Sequence, residues 1–109
     1  MFAPPEIRVI KKRNEIINIL HNGKRIKTRY GNIYLYKTGH TEKKMAVLIK
    51  KHVGNSVSRN YRKRIVREYI RKHINSVLPY NEIIFLYNFV GDVSYNLIES
   101  EFSDRLEIK

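Results

Sequence analysis

The stretch from residue 50 to 72, KKHVGNSVSRNYRKRIVREYIRK, restricts the folds open to this chain more than any other part of it. It carries nine Lys/Arg and one acid, Glu68. It also carries Val57, Tyr61, Ile65, Val66, Tyr69 and Ile70 at the spacing of a helix face. A solvated run of charge has no use for such an apolar set. The segment therefore reads as a helix that buries one side and presents cations on another. Asn60, Lys63, Arg64, Arg67 and Arg71 fall on one stripe, where like charges repel. Arginine dominates it, and a guanidinium fork grips phosphate oxygens two at a time. The natural partner is a polyphosphate. If about six phosphates are neutralised, the log–log salt slope of binding is near −4 to −5.

The rest of the chain fits that reading. Its 109 residues suffice for one domain with one core. The net charge is +12 and is unevenly spread. Residues 1–81 hold 20 Lys/Arg against 4 acids, whereas residues 82–109 hold 2 against 6. Nucleic acid is the first candidate partner and an anionic membrane the second. With no cysteine, disulfides and thiolate zinc sites are excluded. No stretch resembles a signal peptide or a membrane span, so the expected location is the cytoplasm.

Pro4 and Pro5 imply an extended, loose start. Asn14 is positioned to cap a helix ending near Asn22, with Gly23 as terminator and Ile16, Ile17, Ile19 and Leu20 as its stripe. Residues 30–37 alternate as a strand with a face of Tyr30, Asn32, Tyr34 and Tyr36. A turn at 39–42 and a strand from Met45 to Lys50 predict a hairpin with it. Gly54-Asn55-Ser56 offers a cap for the basic helix, read as Val57–Val77 and stopped by Pro79. Glu82–Tyr87 (EIIFLY) is a third strand. Ser94 caps a last helix to about Leu106, which buries Tyr95, Ile98, Phe102 and Leu106. The order implies a small sheet packed against helices.

Lys51, Val53, Gly54-Asn55, Val57, Arg59-Asn60, Lys63-Arg64 and Arg67-Glu68 resemble the signature of the bacterial ribonuclease P protein subunit, K-K-x-G-N-x-V-x-R-N-R-x-K-R-x-x-R-E. K-K-R-N-E at 11–15, His21, Gly23, Arg29 and Tyr34 upstream, and the strand at 83–86 and Tyr95 downstream, extend the resemblance over roughly residues 8–106. It implies an α+β fold of the ribosomal protein S5 domain 2-like kind. That fold is a small mixed sheet with a left-handed βαβ crossover, and a further strand fits at 24–29. It implies a protein that assists a catalytic RNA in removing the 5′ leader of precursor tRNA. Carried over by position, Arg59, Asn60, Lys63, Arg64 and Arg67 dock on that RNA, and Arg62 and Arg71 join them on the same helix. Ile16, Leu20, Tyr34 and the weaker addition Tyr36, with Lys50, Lys51 and His52 at the rim, hold the leader. Mg2+ belongs to the holoenzyme through RNA, and no cofactor is bound by the protein alone. The implied partners are ribonuclease P RNA and precursor tRNA, with no membrane and no obligatory protein partner.

The chain departs from the family pattern at five positions. Tyr61 stands where the third motif arginine is usual, and Arg62 replaces an aliphatic residue. Arg62 either snorkels out or supplies the missing cation. Ile16 and Leu20 stand where aromatics are common, and Tyr87 where arginine is.

A protein-borne nuclease site is not expected. His21, His40, His52 and His73 are dispersed, and Glu99, Glu101 and Asp104 read as a solvated face. Two other classes remain: a structural RNA-binding protein of ribosomal type, which would need no aromatic cleft, and a DNA-binding module. The latter ranks low because a strand, not a helix, precedes residue 57.

Overall fold

The central strand of this protein is its most apolar one. Glu82–Tyr87 carries Ile83, Phe85 and Tyr87 on one face and Ile84 and Leu86 on the other, so it needs cover on both faces and a neighbour at both edges. In the computed structural model, which describes residues 7–77 and 79–108, it has all of these. Pro4 and Pro5 lie outside the described residues.

The elements are β1 (Ile7–Val9), α1 (Arg13–Asn22), β2 (Lys24–Thr28), β3 (Gly31–Tyr36), β4 (Lys43–Ile49), α2 (Ser56–His73), β5 (Glu82–Tyr87) and α3 (Tyr95–Arg105). One mixed sheet runs in the order β1-β4-β5-β3-β2. β5 is parallel to β4 and antiparallel to β3, and β1 is parallel to β4. The expected hairpin between residues 30–37 and 45–50 is therefore absent. β5 lies between those strands, because as an edge strand it would leave an apolar ribbon unpaired. The hairpin partner of β3 is instead β2, through the two-residue turn Arg29-Tyr30. Gly31 (φ 146°) opens β3, and a Cβ there would stand 2.0 Å from the Leu86 carbonyl oxygen. This non-standard step takes Tyr30 off the face of Tyr34 and Tyr36. It packs edge-on against Phe89 in the opposite core.

α2 and α3 cover one side of the sheet, over Ile33, Leu35, Met45, Val47, Ile83, Phe85 and Tyr87. From α2, Ile65, Val66, Tyr69 and Ile70 are buried. Burial of each is worth about 1.5–3 kcal/mol. Repulsion between like charges one turn apart costs only about 0.2–0.5 kcal/mol per pair, so the basic helix forms despite its stripe. Asn55 caps it by accepting the Ser58 N–H at 2.9 Å. The helix proper ends at His73, and Ile74–Val77 continue as a tighter 3-10 turn before Pro79. Val57 and Tyr61 do not join the buried face; they are 78% and 43% exposed.

Arg62 takes the place those two leave. Its Nη1 donates to the Tyr87 hydroxyl at 2.6 Å and the Gly91 carbonyl at 2.9 Å, and its Nε to Ser58 Oγ at 3.2 Å. Its guanidinium carbon lies 5.6 Å from the Tyr87 ring centroid. Arg62 thus stays with the core instead of snorkelling out.

α1 covers the other side, where Ile19 packs with Ile10, Tyr34, Ala46 and Ile84. It begins one residue before Asn14, with Lys12 at the cap position and no side-chain cap. Asn14 instead accepts the N–H of Glu15 at 3.0 Å within the first turn. Of the expected stripe Ile17 is exposed. The last helix matches its expectation in part: Ser94 accepts the Leu97 N–H, and Ile98 and Phe102 are buried, while Tyr95 and Leu106 are only half-buried. Its acids are not merely solvated, however. Glu99 meets His73 Nε2 at 3.4 Å and accepts from the Tyr95 hydroxyl at 3.1 Å. Glu101 accepts the Arg29 N–H at 2.6 Å, tying the β2–β3 turn to α3, and pairs with Arg105 at 3.3 Å.

Asn81 is the one buried polar residue among those described. Its Oδ1 accepts the Thr38 N–H at 2.8 Å. The two N–H donors of its Nδ2 are shared among Thr38 Oγ1, the His40 carbonyl and the Glu42 carbonyl, all at 2.7–3.0 Å. One side chain thus closes the long β3–β4 connection. Asn81→Ala strands several of these groups and costs about 2 kcal/mol, a fall of roughly 8–16 °C in Tm. A melting curve within 2 °C of the parent would show that the loop does not depend on it.

Burial raises the hydroxyls of Tyr69 and Tyr87 above the usual value of 10, and it pushes Tyr95, whose proton Glu99 also holds, up to about 12. The folded state binds these protons more tightly than the unfolded chain. The stabilisation is complete below pH 10 and is lost as pH rises through the folded values. The urea midpoint therefore falls between pH 10 and 12, and in Tyr95→Phe the fall is shallower; identical profiles would refute the assignment.

Candidate nucleic-acid interface

Two basic surfaces arise, on opposite sides of the sheet. The first is α2. Asn60, Arg64 and Arg71 are exposed, and Lys63 and Arg67 are half-buried along the same side. Among the described residues no carboxylate lies within ion-pair distance of Lys63, Arg64, Arg67 or Arg71. Glu68 pairs with Lys72 at 3.6 Å and not with Arg64. Four cations without counterions on one helical side make a strong positive field.

The start of this strip is fixed by backbone geometry. Residues Lys51–Val53 form a 3-10 turn, and Gly54 (φ 155°) reverses the chain into the Asn55 cap. Arg59 Nη1 donates to the carbonyls of Lys51 and Gly54, at 3.2 and 3.1 Å. Arg59 therefore braces the turn that carries Lys50, Lys51 and His52, all three of which are exposed. Arg62, bound to Tyr87 and Gly91, is drawn out of the strip.

The second surface is the α1 side of the sheet. Strand register puts Arg25 and Lys27, Asn32, Tyr34 and Tyr36, Glu82, Ile84 and Leu86, Lys44, Ala46 and Leu48, and Arg8 on one face. α1 lies over the middle of it. Tyr34 is 8% exposed beneath the helix, while Tyr36, Leu48 and Leu86 stay half-buried beside Ile16 and Leu20. The expected cleft residues therefore separate. Tyr36 pairs with Glu82, which pairs with Lys44, six residues before Lys50 on β4. At about 3.3 Å per residue this is roughly 20 Å along the strands. Tyr36 marks one end of the groove and Lys50 the other, with Ile16, Leu20 and Tyr34 between.

A shallow depression at the Tyr36 end is lined by Glu15, Asn18, Lys37, His40, Lys44 and Glu82. Burial pushes the Glu82 carboxyl up, and Lys44 pulls it back. Lys44 also lies 3.6 Å from Glu15. Arg25 and Lys27 were missed by motif matching. Their signal was the alternation of KRIKT at 24–28, which puts Ile26 toward the core and both cations on the opposite face. Among the described residues there is no group of three or more His, Cys, Asp or Glu placed to hold a metal ion. His73 is engaged with Glu99 and stacked on Tyr69.

A family profile described as Ribonuclease P matches residues 5–108. The ribonuclease P protein component of Staphylococcus carnosus is 30% identical over 100 residues, which cover 91% of this chain and 87% of that protein. That of Clostridium botulinum is 28% identical over 100 residues, 90% of each. The Staphylococcus aureus RNase P protein structure superposes with a TM-score of 0.78 at 24% identity, covering 92% of this chain and 93% of that one. The Thermotoga maritima RNase P protein does so at 0.75 and 20%, covering 94% and 98%. The order of the sheet, the motif on α2 and these likenesses agree: the chain belongs to the ribonuclease P protein family.

Proposed function

We propose that this chain is the protein subunit of ribonuclease P, which docks through α2 on the catalytic RNA and holds the 5′ leader of precursor tRNA in the α1 groove. The observation that supports it most is the row Lys63, Arg64, Arg67 and Arg71, exposed or half-exposed and, among the described residues, without carboxylate partners, on a helix otherwise anchored in the core. In this reading the RNA hydrolyses the phosphodiester and Mg2+ enters the holoenzyme with it. The chain's residues bind, orient and neutralise. Asn60, Lys63, Arg64, Arg67 and Arg71 contact the RNA. Arg59 and Arg62 shape the strip from within, Arg59 through the turn at 51–54 and Arg62 through the loop at 91. Along the groove, Lys50, Lys51, His52, Arg25 and Lys27 meet the leader's phosphates, and Tyr36, Ile16 and Leu20 its bases, with Tyr34 as the packed floor. Among the described residues no helix is long and apolar enough to cross a membrane, and the reading places the chain in the cytoplasm with its RNA.

Reconstitution with the cognate RNA should raise precursor-tRNA cleavage at low Mg2+; no gain over RNA alone would end the proposal. Arg64→Ala with Arg67→Ala should make the log–log salt slope of RNA binding shallower by about 1.4–1.8, the share of two phosphate contacts. Arg62→Met should lower Tm and leave that slope alone.

The leader groove is tested at Tyr36, because truncating the buried Tyr34 would disturb the fold as well. Tyr36→Ala should weaken precursor binding by roughly 5-fold or more, the share of one lost base stack, and spare mature tRNA. Equal loss for both would favour a purely structural role in the particle.

A further inference from the structure

We propose that Tyr61, with Val57 one turn before it and Arg64 over its ring, is a stacking seat for an unpaired base of the RNA, set into a strip that otherwise grips phosphates. The inference rests on the reading of α2 as the RNA-docking helix.

Val57 and Tyr61 have the spacing of a buried pair, yet they are among the large apolar residues most open to solvent. The apolar work of the helix is done by Ile65, Val66, Tyr69 and Ile70, so the fold has no need of Val57 or Tyr61. Their side of the helix continues into Arg64 and Arg71, at steps of three and seven from Tyr61 to Arg64 and on to Arg71. The Arg64 guanidinium carbon stands 5.6 Å from the Tyr61 ring centroid, within the range of a cation–π contact.

The strip also has a gap here. Position 61 holds a phenol, and the cation at 62 is turned inward to Tyr87, Gly91 and Ser58. Between Asn60 and Lys63 no charged group is free to meet a phosphate. A polynucleotide crossing this interval meets an isopropyl group, a phenol ring and a guanidinium plane, held between cations that retain its backbone. Phosphates gain little from such a surface. A base gains from it, because every base has a π-face to lay on an aromatic ring or an arginine. The cationic surround selects RNA over an apolar protein partner, which would have to desolvate Lys63, Arg64 and Arg67 without pairing them.

The test measures affinity of the full chain for the cognate ribonuclease P RNA across a salt series, for the parent, Tyr61→Ala, Tyr61→Phe and Tyr61→Arg. Melting curves should be alike, since the ring is largely outside the core. Tyr61→Ala should weaken binding by roughly 5- to 150-fold with the salt slope unchanged, and Tyr61→Phe should stay within about twofold of the parent. Tyr61→Arg should steepen the slope by about 0.7–0.9, the share of one new phosphate contact. A loss below twofold in Tyr61→Ala would overturn the stacking seat. So would a Tyr61→Phe as weak as Tyr61→Ala, which would make the hydroxyl the contact. A flat salt dependence in the parent itself would instead overturn the docking role of α2, and is read before any variant.

Discussion

β5 is the constraint on which everything else rests. Ile83, Phe85 and Tyr87 face one way and Ile84 and Leu86 the other, so a helix layer is required on each side. Pairing at both edges forces β3 and β4 apart and makes the β4–α2–β5 unit a crossover between adjacent parallel strands. α2 must then lie on the side of Phe85, and α1 takes the side of Ile84. The two basic surfaces are separated by the thickness of the sheet as a result. One strand's two-sided hydrophobicity thus sets the two surfaces back to back, the arrangement that the proposed binding of two stretches of RNA requires.

Much of this was legible in the residues. The α2 stripe, the Asn55 cap, the EIIFLY strand and the α3 core positions all follow from local period and turn chemistry, which act within a few residues. The largest misreading, the expected hairpin, concerns partners distant in sequence. Nothing in residues 30–50 states that β5 will come between their strands. Tyr30 alternates correctly in the sequence and still faces the other core, because Gly31 changes the backbone's direction. The stacking of Tyr34 beneath α1, and the roughly 20 Å between Tyr36 and Lys50, are likewise products of packing. The short β1 was not read at all, since three residues with one buried side chain after them carry almost no period. Of the candidate interface, residue types came from the motif, while their division into exposed, half-buried and inward-turned came only from the fold.

The same distinction governs charge. The acids of residues 82–109 look available to neutralise the basic half, yet Glu99 and Glu101 are occupied within α3 and its neighbours, by His73, Tyr95, Arg105 and the Arg29 N–H. Exposed ion pairs of this kind contribute little to stability. What they do is hold these two carboxylates at the His73 end of α2 and at the β2–β3 turn, away from the row of Lys63, Arg64, Arg67 and Arg71. The field over Lys63, Arg64, Arg67 and Arg71 is left undiminished for an external polyanion, and the self-repulsion it costs is small beside the burial of the helix's apolar side.

Arg62 shows how far such a fold can absorb a departure. A guanidinium cannot be deprotonated, so on the inner side of a helix it must be hydrogen-bonded or reach water. Here the Tyr87 hydroxyl, the Gly91 carbonyl and Ser58 Oγ take three of its five donors, and the Tyr87 ring lies against its plane. Where the family commonly has an aliphatic residue at 62 and an arginine at 87, this chain has the reverse polarity on the same two elements. In this chain the arginine stands on α2 and the tyrosine on β5, and the two meet across the α2–β5 contact. Together they form one joint between helix and sheet, and the cation is engaged in that joint, leaving positions 61 and 62 of the strip with an aromatic ring as their only outward group.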